Sequence, residues 1–254
     1  MRSWRDHREA LQDKSGIHGG ADMNQEKSPL LGVITGYVPR FVVRRVLAAP
    51  HSYLAGYEER LDAAVLFADV SGFTAMSESL AQLGKEGAEE LTRVLNEYFT
   101  TMIDVVESYG GDVIKFGGDA ITCMFATHEG SDLHSALSCA LKMQEKTADF
   151  QAVETRGGVF RLQMKIGVSA GRVLSLITGD PGMGLEYVLA GRPLDRMAEA
   201  EHHASAGEVV VDSECLRGLQ DSIAGDPRDG FTVVRRLNRL AAEVTAERLD
   251  WSAL

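Results

Sequence analysis

The stretch LFADVSGFTAMSESL, residues 66–80, decides how the rest of the chain is read. It is preceded by LDAAV, and LDAAVLFADV is apolar on both alternations, as expected of a strand covered on both faces. That run ends on Asp69, turns at Ser71-Gly72 and gives way to a helix expected from about Phe73. A helix start presents free backbone N–H groups that attract phosphate, and a glycine there lets the backbone come close to a ligand. An aspartate between strand and helix is more often a plain cap or turn residue than a ligand, so spacing alone does not establish a site.

The 254 residues suffice for one folded domain with a core of its own, and 44% apolar with 25% charged residues is ordinary for a soluble protein. A net charge of −11 argues against a nucleic-acid surface, which normally shows a basic stripe against phosphates. Small anionic ligands remain open if a metal mediates. Cys123, Cys139 and Cys215 have no metal-ligand spacing and read as reduced thiols of a cytoplasmic protein. No secretory pattern and no membrane span are read, since VPRFVVRRVL is broken by three arginines.

Residues 1–28 lack periodicity and read as a mobile tail, and residues 29–60 as a lead-in with apolar patches at Leu30, Val33, Phe41 and Val46. The catalytic domain is expected over 61–220 and a strand plus amphipathic helix over 221–254, where the pattern stops abruptly, as at the start of a linker to something longer. A long helix is expected over 86–108, from Leu91, Val94, Leu95, Phe99, Met102 and Val106 at helical spacing. DVIKF and AITCMF form a hairpin joined by GGD, and Ser131 is the expected cap of a helix through Leu133, Leu137 and Leu141. VFRLQMKIGVSAG alternates cleanly, RVLSLI and LEYVLAG read as two further strands, Pro193 opens a helix over about 193–204, and GEVVVD is another strand. The class is therefore α+β with a mixed central sheet flanked by helices.

Asp119 lies in the hairpin turn, and a hairpin paired beside the first strand would bring it near Asp69. Two close carboxylates repel, so they need a cation between them or a raised pKa. Mg²⁺ favours few carboxylates completed by phosphate oxygens.

LFADVSGFTAMSE followed by GAEELTRVLNEYFTTMIDVVESYGGDVIKFGGDAITCMF resembles the class III nucleotidyl cyclase catalytic domain, most of all the first catalytic half of the soluble bicarbonate-responsive adenylyl cyclases. The likeness runs from about Tyr37 to about Leu216. It implies a ferredoxin-like core working as a dimer of two such domains, with two Mg²⁺ (or Mn²⁺) ions held by Asp69, Asp119 and the Val70 carbonyl. It further implies ATP as substrate, phosphate contacts from Gly72, Phe73, Thr74 and Lys165, and attack of the 3′-hydroxyl on the α-phosphorus. Lys115 matches a base-contacting or regulatory lysine, while the adenine-selecting column holds Val188.

The pattern breaks on the helix after Gly191, where the columns of the ribose-orienting Asn and the transition-state Arg hold Asp195 and Glu199. Carboxylates there repel a triphosphate, and a missing donor of this kind costs about 10²-fold or more. The column of the bicarbonate-binding arginine holds Ala198, with Arg196 about 200° away around a helix. The expectation is a metal-bearing half that makes cyclic AMP and pyrophosphate with a complementary second domain, in the same longer chain, on another chain or, less well, as a homodimer. A silent nucleotide- or anion-binding regulatory module and a guanylyl cyclase half are the alternatives.

Overall fold

The computed structural model describes residues 39–48, 56–127, 130–180, 182–217 and 219–244. The tail expected over 1–28, the patches at Leu30 and Val33, and the last residues of the expected C-terminal helix lie outside these.

The double-sided apolar run becomes strand β1 (Tyr57–Ser71), which begins four residues before the expected start of the domain. Its Ala64, Leu66, Ala68 and Val70 enter one core and its Ala63 and Val65 the other, which explains why both alternations are apolar. The first core is filled from helices α2 (Phe73–Ala81), α3 (Lys85–Ser108) and α4 (Leu133–Thr147). The second is closed by α1 (Arg40–Ala48) and α5 (Arg192–His202), through Phe41, Leu194 and Met197. The arginines of α1 are used as anchors: Arg40 meets Glu107 at 2.7 Å, Arg44 meets Asp112 at 3.4 Å, and Arg45 pairs with Glu59.

The hairpin forms as β2 (Asp112–Gly117) and β3 (Ala120–Thr127), with a short β4 (Gly130–Ser131) on β3. Ser131 is taken up in that pairing, so α4 is capped by Asp132, whose Oδ1 accepts from Ser135 N at 2.9 Å. A small separate hairpin, β5 (Val153–Thr155) with β6 (Gly158–Phe160), precedes the longest strand. QMKIGVSAG and RVLSLI are one strand, β7 (Gln163–Asp180), and not two. Gly171 at φ 149° looks like a break in the sequence, yet the ladder to β1 runs unbroken from Tyr57↔Ile177 to Ser71↔Gln163.

β8 (Gly184–Ala190) folds back on β7, α5 follows, and β9 (Val209–Asp212) lies parallel to β7. The sheet is completed by β10 (Ile223–Arg228) and β11 (Phe231–Leu237), giving the path β10-β11-β9-β7-β1-β3-β2. It is a mixed sheet in an α+β fold. The expected C-terminal helix does not form through residue 244: Ala241 N bonds to Ser138 Oγ at 2.8 Å and Val244 N to Ser108 O at 2.7 Å, so these donors are spent across α4 and α3. Among the described residues no helix is long and apolar enough to cross a membrane.

Candidate functional site

The β1–β3 ladder ends at Ala68↔Ile121, which leaves Asp69 and Asp119 just past its last pair, one on each strand's path. Asp119 stands in the two-residue turn whose Gly118 takes φ 72°. Burial pushes the Asp69 carboxyl above its ordinary pKa, the charges of Glu201 and Asp119 push it further, and Lys165 opposes them. Asp69 therefore feels Asp119 as a neighbour.

Asp69 and Lys165 are register partners across β1 and β7. Odd-numbered residues of both strands face α5, and Lys165 Nζ meets Glu201 Oε1 on that helix at 2.6 Å. Glu201 is 7% exposed in its side chain and Lys165 31%. The pair exists because α5 lies unusually close to β7: a Cβ on Gly167 would overlap the Met197 carbonyl oxygen and the Glu201 amide nitrogen. Glu201 was not read from the sequence. Its one signal is a carboxylate on the helix stripe Pro193, Met197, Ala200, Glu201 that is otherwise apolar and buried.

Gly72 takes φ 107° at the start of α2, where no side chain caps the helix. A Cβ there would overlap the Arg161 carbonyl oxygen and sit 3.2 Å from Leu162 Cδ2. Packing alone thus requires glycine, whatever else the turn does. Phe73 is buried, edge-on to Tyr98 at 5.4 Å, so only its backbone is available to a ligand, while the Thr74 side chain is exposed.

The remaining sequence candidates lie elsewhere. Lys115 is exposed on β2, opposite Thr122. Val188 pairs with Leu176, eleven positions beyond Lys165 on β7 and on the order of 35 Å along the strand. Asp195 and Glu199 are exposed on α5. Arg196 is committed to the fold: its Nε and Nη2 grip both oxygens of Asp212 at 3.1 and 2.9 Å, its Nη1 meets Glu199 at 2.5 Å, and its guanidinium lies 4.2 Å from the Phe231 ring centre. His203 packs on Phe231 at 4.7 Å and His202 Nδ1 donates locally to the Ala198 carbonyl oxygen at 2.8 Å. Burial pushes the Cys123 and Cys139 thiols well up, so neither is a nucleophile.

Among the described residues no three His, Cys, Asp or Glu side chains converge as a metal cage. Two hard carboxylates beside an uncapped helix start fit a divalent ion whose other ligands come from a phosphorylated substrate.

The family model for the adenylate and guanylate cyclase catalytic domain matches residues 57–242. Adenylate cyclase type 10 of Rattus norvegicus is 32% identical over 157 residues, 61% of this chain and 10% of that protein. The chain thus spans about a tenth of the length of the first curated relatives it matches. Among solved structures, the adenylyl cyclase CyaB from P. aeruginosa superposes with TM-score 0.57 at 23% identity, covering 73% of this chain and 100% of that one. A dimeric guanylyl cyclase domain of the RhoGC fusion protein from Blastocladiella emersonii gives 0.60 at 16%, covering 72% and 99%. At these identities the two structures speak for the fold alone.

Proposed function

The chain belongs to the adenylate and guanylate cyclase catalytic domain family, and from that premise we propose that it is the metal-bearing half of an adenylyl cyclase, converting ATP to cyclic AMP and pyrophosphate with a complementary second domain. The observation that carries the reading is the placement of Asp69 and Asp119 together just beyond the β1–β3 ladder, where the charge of Asp119 adds to the cost of charging Asp69. Two Mg²⁺ or Mn²⁺ ions, when bound, supply neutralisation of the triphosphate and a lower pKa for the ribose 3′-hydroxyl.

The chain's own residues do the rest by position. The carboxylates of Asp69 and Asp119 and the Val70 carbonyl oxygen are the ligands. The backbone N–H groups at Gly72, Phe73 and Thr74 donate to phosphate oxygens, helped by the helix dipole of α2. Lys165, partly exposed, serves the terminal phosphates, and buried Glu201 sets where its ammonium stands. The 3′-oxygen then bonds to the α-phosphorus as the bond to the pyrophosphate oxygen breaks. Donors for the ribose and for the charge on phosphorus come from the partner, because Asp195 and Glu199 present carboxylates. Val188 offers no hydrogen bond to a purine, so base selection also belongs to the partner, and Lys115 is left to a base-contacting or regulatory role. A cytoplasmic setting is part of this reading.

A silent module that binds nucleotide and controls a partner is the second reading, favoured by Lys165 being held by Glu201. Mixing the full chain with a complementary domain, ATP or GTP, and Mn²⁺ separates them. Cyclic AMP formed only in the mixture and lost in Asp69→Ala supports the proposal. Cyclic GMP formed from GTP instead supports a guanylyl half. No cyclic product with tight, metal-independent nucleotide binding supports the silent module.

A further inference from the structure

On the edge of β7 away from β1, the ladder to β9 ends at Val168↔Val211 and the ladder to β8 begins at Leu174↔Ala190. Between them residues 169–173 have no strand partner on that edge, and the Ala170 N–H and carbonyl are met at 3.1 and 3.2 Å by the Cys215 thiol. The ends of β8 and β9 point into this gap from opposite sides, and α5 starts from it at Gly191, without a side-chain cap. The gap is a cleft of about 350 Å³ whose charged lining is Arg172, Arg192, Arg196 and Arg217 together with the carboxylates of Asp212 and Glu214.

Four arginines around one cleft stand out in a chain with 37 acidic and 26 basic residues. Their state decides what the cleft can hold. Arg196 is neutralised by Asp212 and Glu199 and acts as wall. Arg172 pairs with Asp62 and Arg192 with Glu214, but all four side chains are 45–71% exposed, and such pairs exchange cheaply for a better anion. Arg217 is exposed and has no ion-pair partner among the described residues. Three guanidinium forks thus stand ready to converge on one oxyanion, at the positive end of the α5 dipole. The volume lies in the range of small-molecule sites, which favours a compact ligand over a peptide.

We propose that this cleft binds a small molecule carrying one or two phosphoryl groups, at a site separate from Asp69 and Asp119. The two sites share one helix: Arg192 and Arg196 are in the first turns of α5, and Glu201, which holds Lys165, is in its last.

The test is calorimetric titration of the full chain with inorganic diphosphate and, separately, orthophosphate, in EDTA so that no metal recruits phosphate to the aspartates. Saturable one-to-one, submillimolar binding of diphosphate is expected, weakened at least tenfold in the double variant Arg192→Gln, Arg217→Gln and unchanged in Asp69→Asn. Both arginines are exposed, and an unaltered circular dichroism spectrum verifies that the variant is folded. Absence of saturation up to about 10 mM, wild-type affinity in the double variant, or loss in Asp69→Asn overturns the proposal. So does arginine-dependent binding of an acidic peptide with none of diphosphate, which makes the cleft a docking surface for protein.

Discussion

Replacing Gly167 by alanine tests how closely α5 must sit on the sheet. The backbone of Gly167 is outside the left-handed region, so the conformation itself suits alanine, and the change gains about 0.4–1 kcal/mol where there is room. There is none: the new methyl overlaps the Met197 carbonyl oxygen and the Glu201 amide nitrogen and stands 2.9 Å from Glu201 Cβ. Those first two atoms are helix backbone and cannot rotate away, so α5 has to lift by about 1 Å to restore ordinary contact distances. Overpacking of this kind costs about 1–3 kcal/mol. Lifting also loosens Met197 and Ala200, now 5% and 0% exposed, for a combined loss of about 2–4 kcal/mol. In a domain of this size that lowers the melting temperature by about 5–15 °C. It also draws Glu201 away from Lys165, so cyclic AMP formation with a complementary domain falls more than the folded fraction does. Urea unfolding measures the first effect. Gly117→Ala, which meets nothing within 4 Å, is the control and stays within about 0.5 kcal/mol of the parent. Equal midpoints for the two variants refute the close-packing account of α5.

Glu208 is held down to a pKa of about 2, first by its hydrogen bond from Arg228 at 2.7 Å. A depressed carboxylate stabilises the fold above its unfolded pKa, near 4.5, and that contribution is lost as pH falls toward about 2. With Arg228 and Arg235 33% and 52% exposed, solvent screening leaves about 1–2 kcal/mol, so Glu208→Gln is destabilised by that much at pH 7 and matches the parent near pH 2 in urea titrations. The double substitution Asp195→Asn, Glu199→Arg raises cyclic AMP formation by the chain alone at least tenfold in a steady-state assay, because it removes two exposed carboxylates and adds the missing donors.

The strand, turn and helix of residues 57–81, the β2–β3 hairpin and α3 were legible because each has an unmistakable period or turn signal of its own. β7 read as two strands because a Gly-Arg pair looks like punctuation, whereas its continuity is set by fifteen register positions on β1. α1 was obscured by its arginines, whose partners Glu59, Glu107 and Asp112 lie far along the chain. The C-terminal segment has helical spacing, but its backbone donors find Ser108 and Ser138 first. In the site, Asp69 and Asp119 were visible as turn and strand-end residues. Glu201 was not, since a buried ion pair spanning thirty-six positions leaves only an odd carboxylate on an apolar stripe.

Manganese binding in the presence of a non-hydrolysable ATP analogue, followed by the loss of the free-ion paramagnetic resonance signal, tests the paired carboxylates most directly. The parent chain is expected to bind the ion, and Asp69→Asn and Asp119→Asn each to weaken it at least tenfold while remaining folded. Parent-like affinity in both variants contradicts the account.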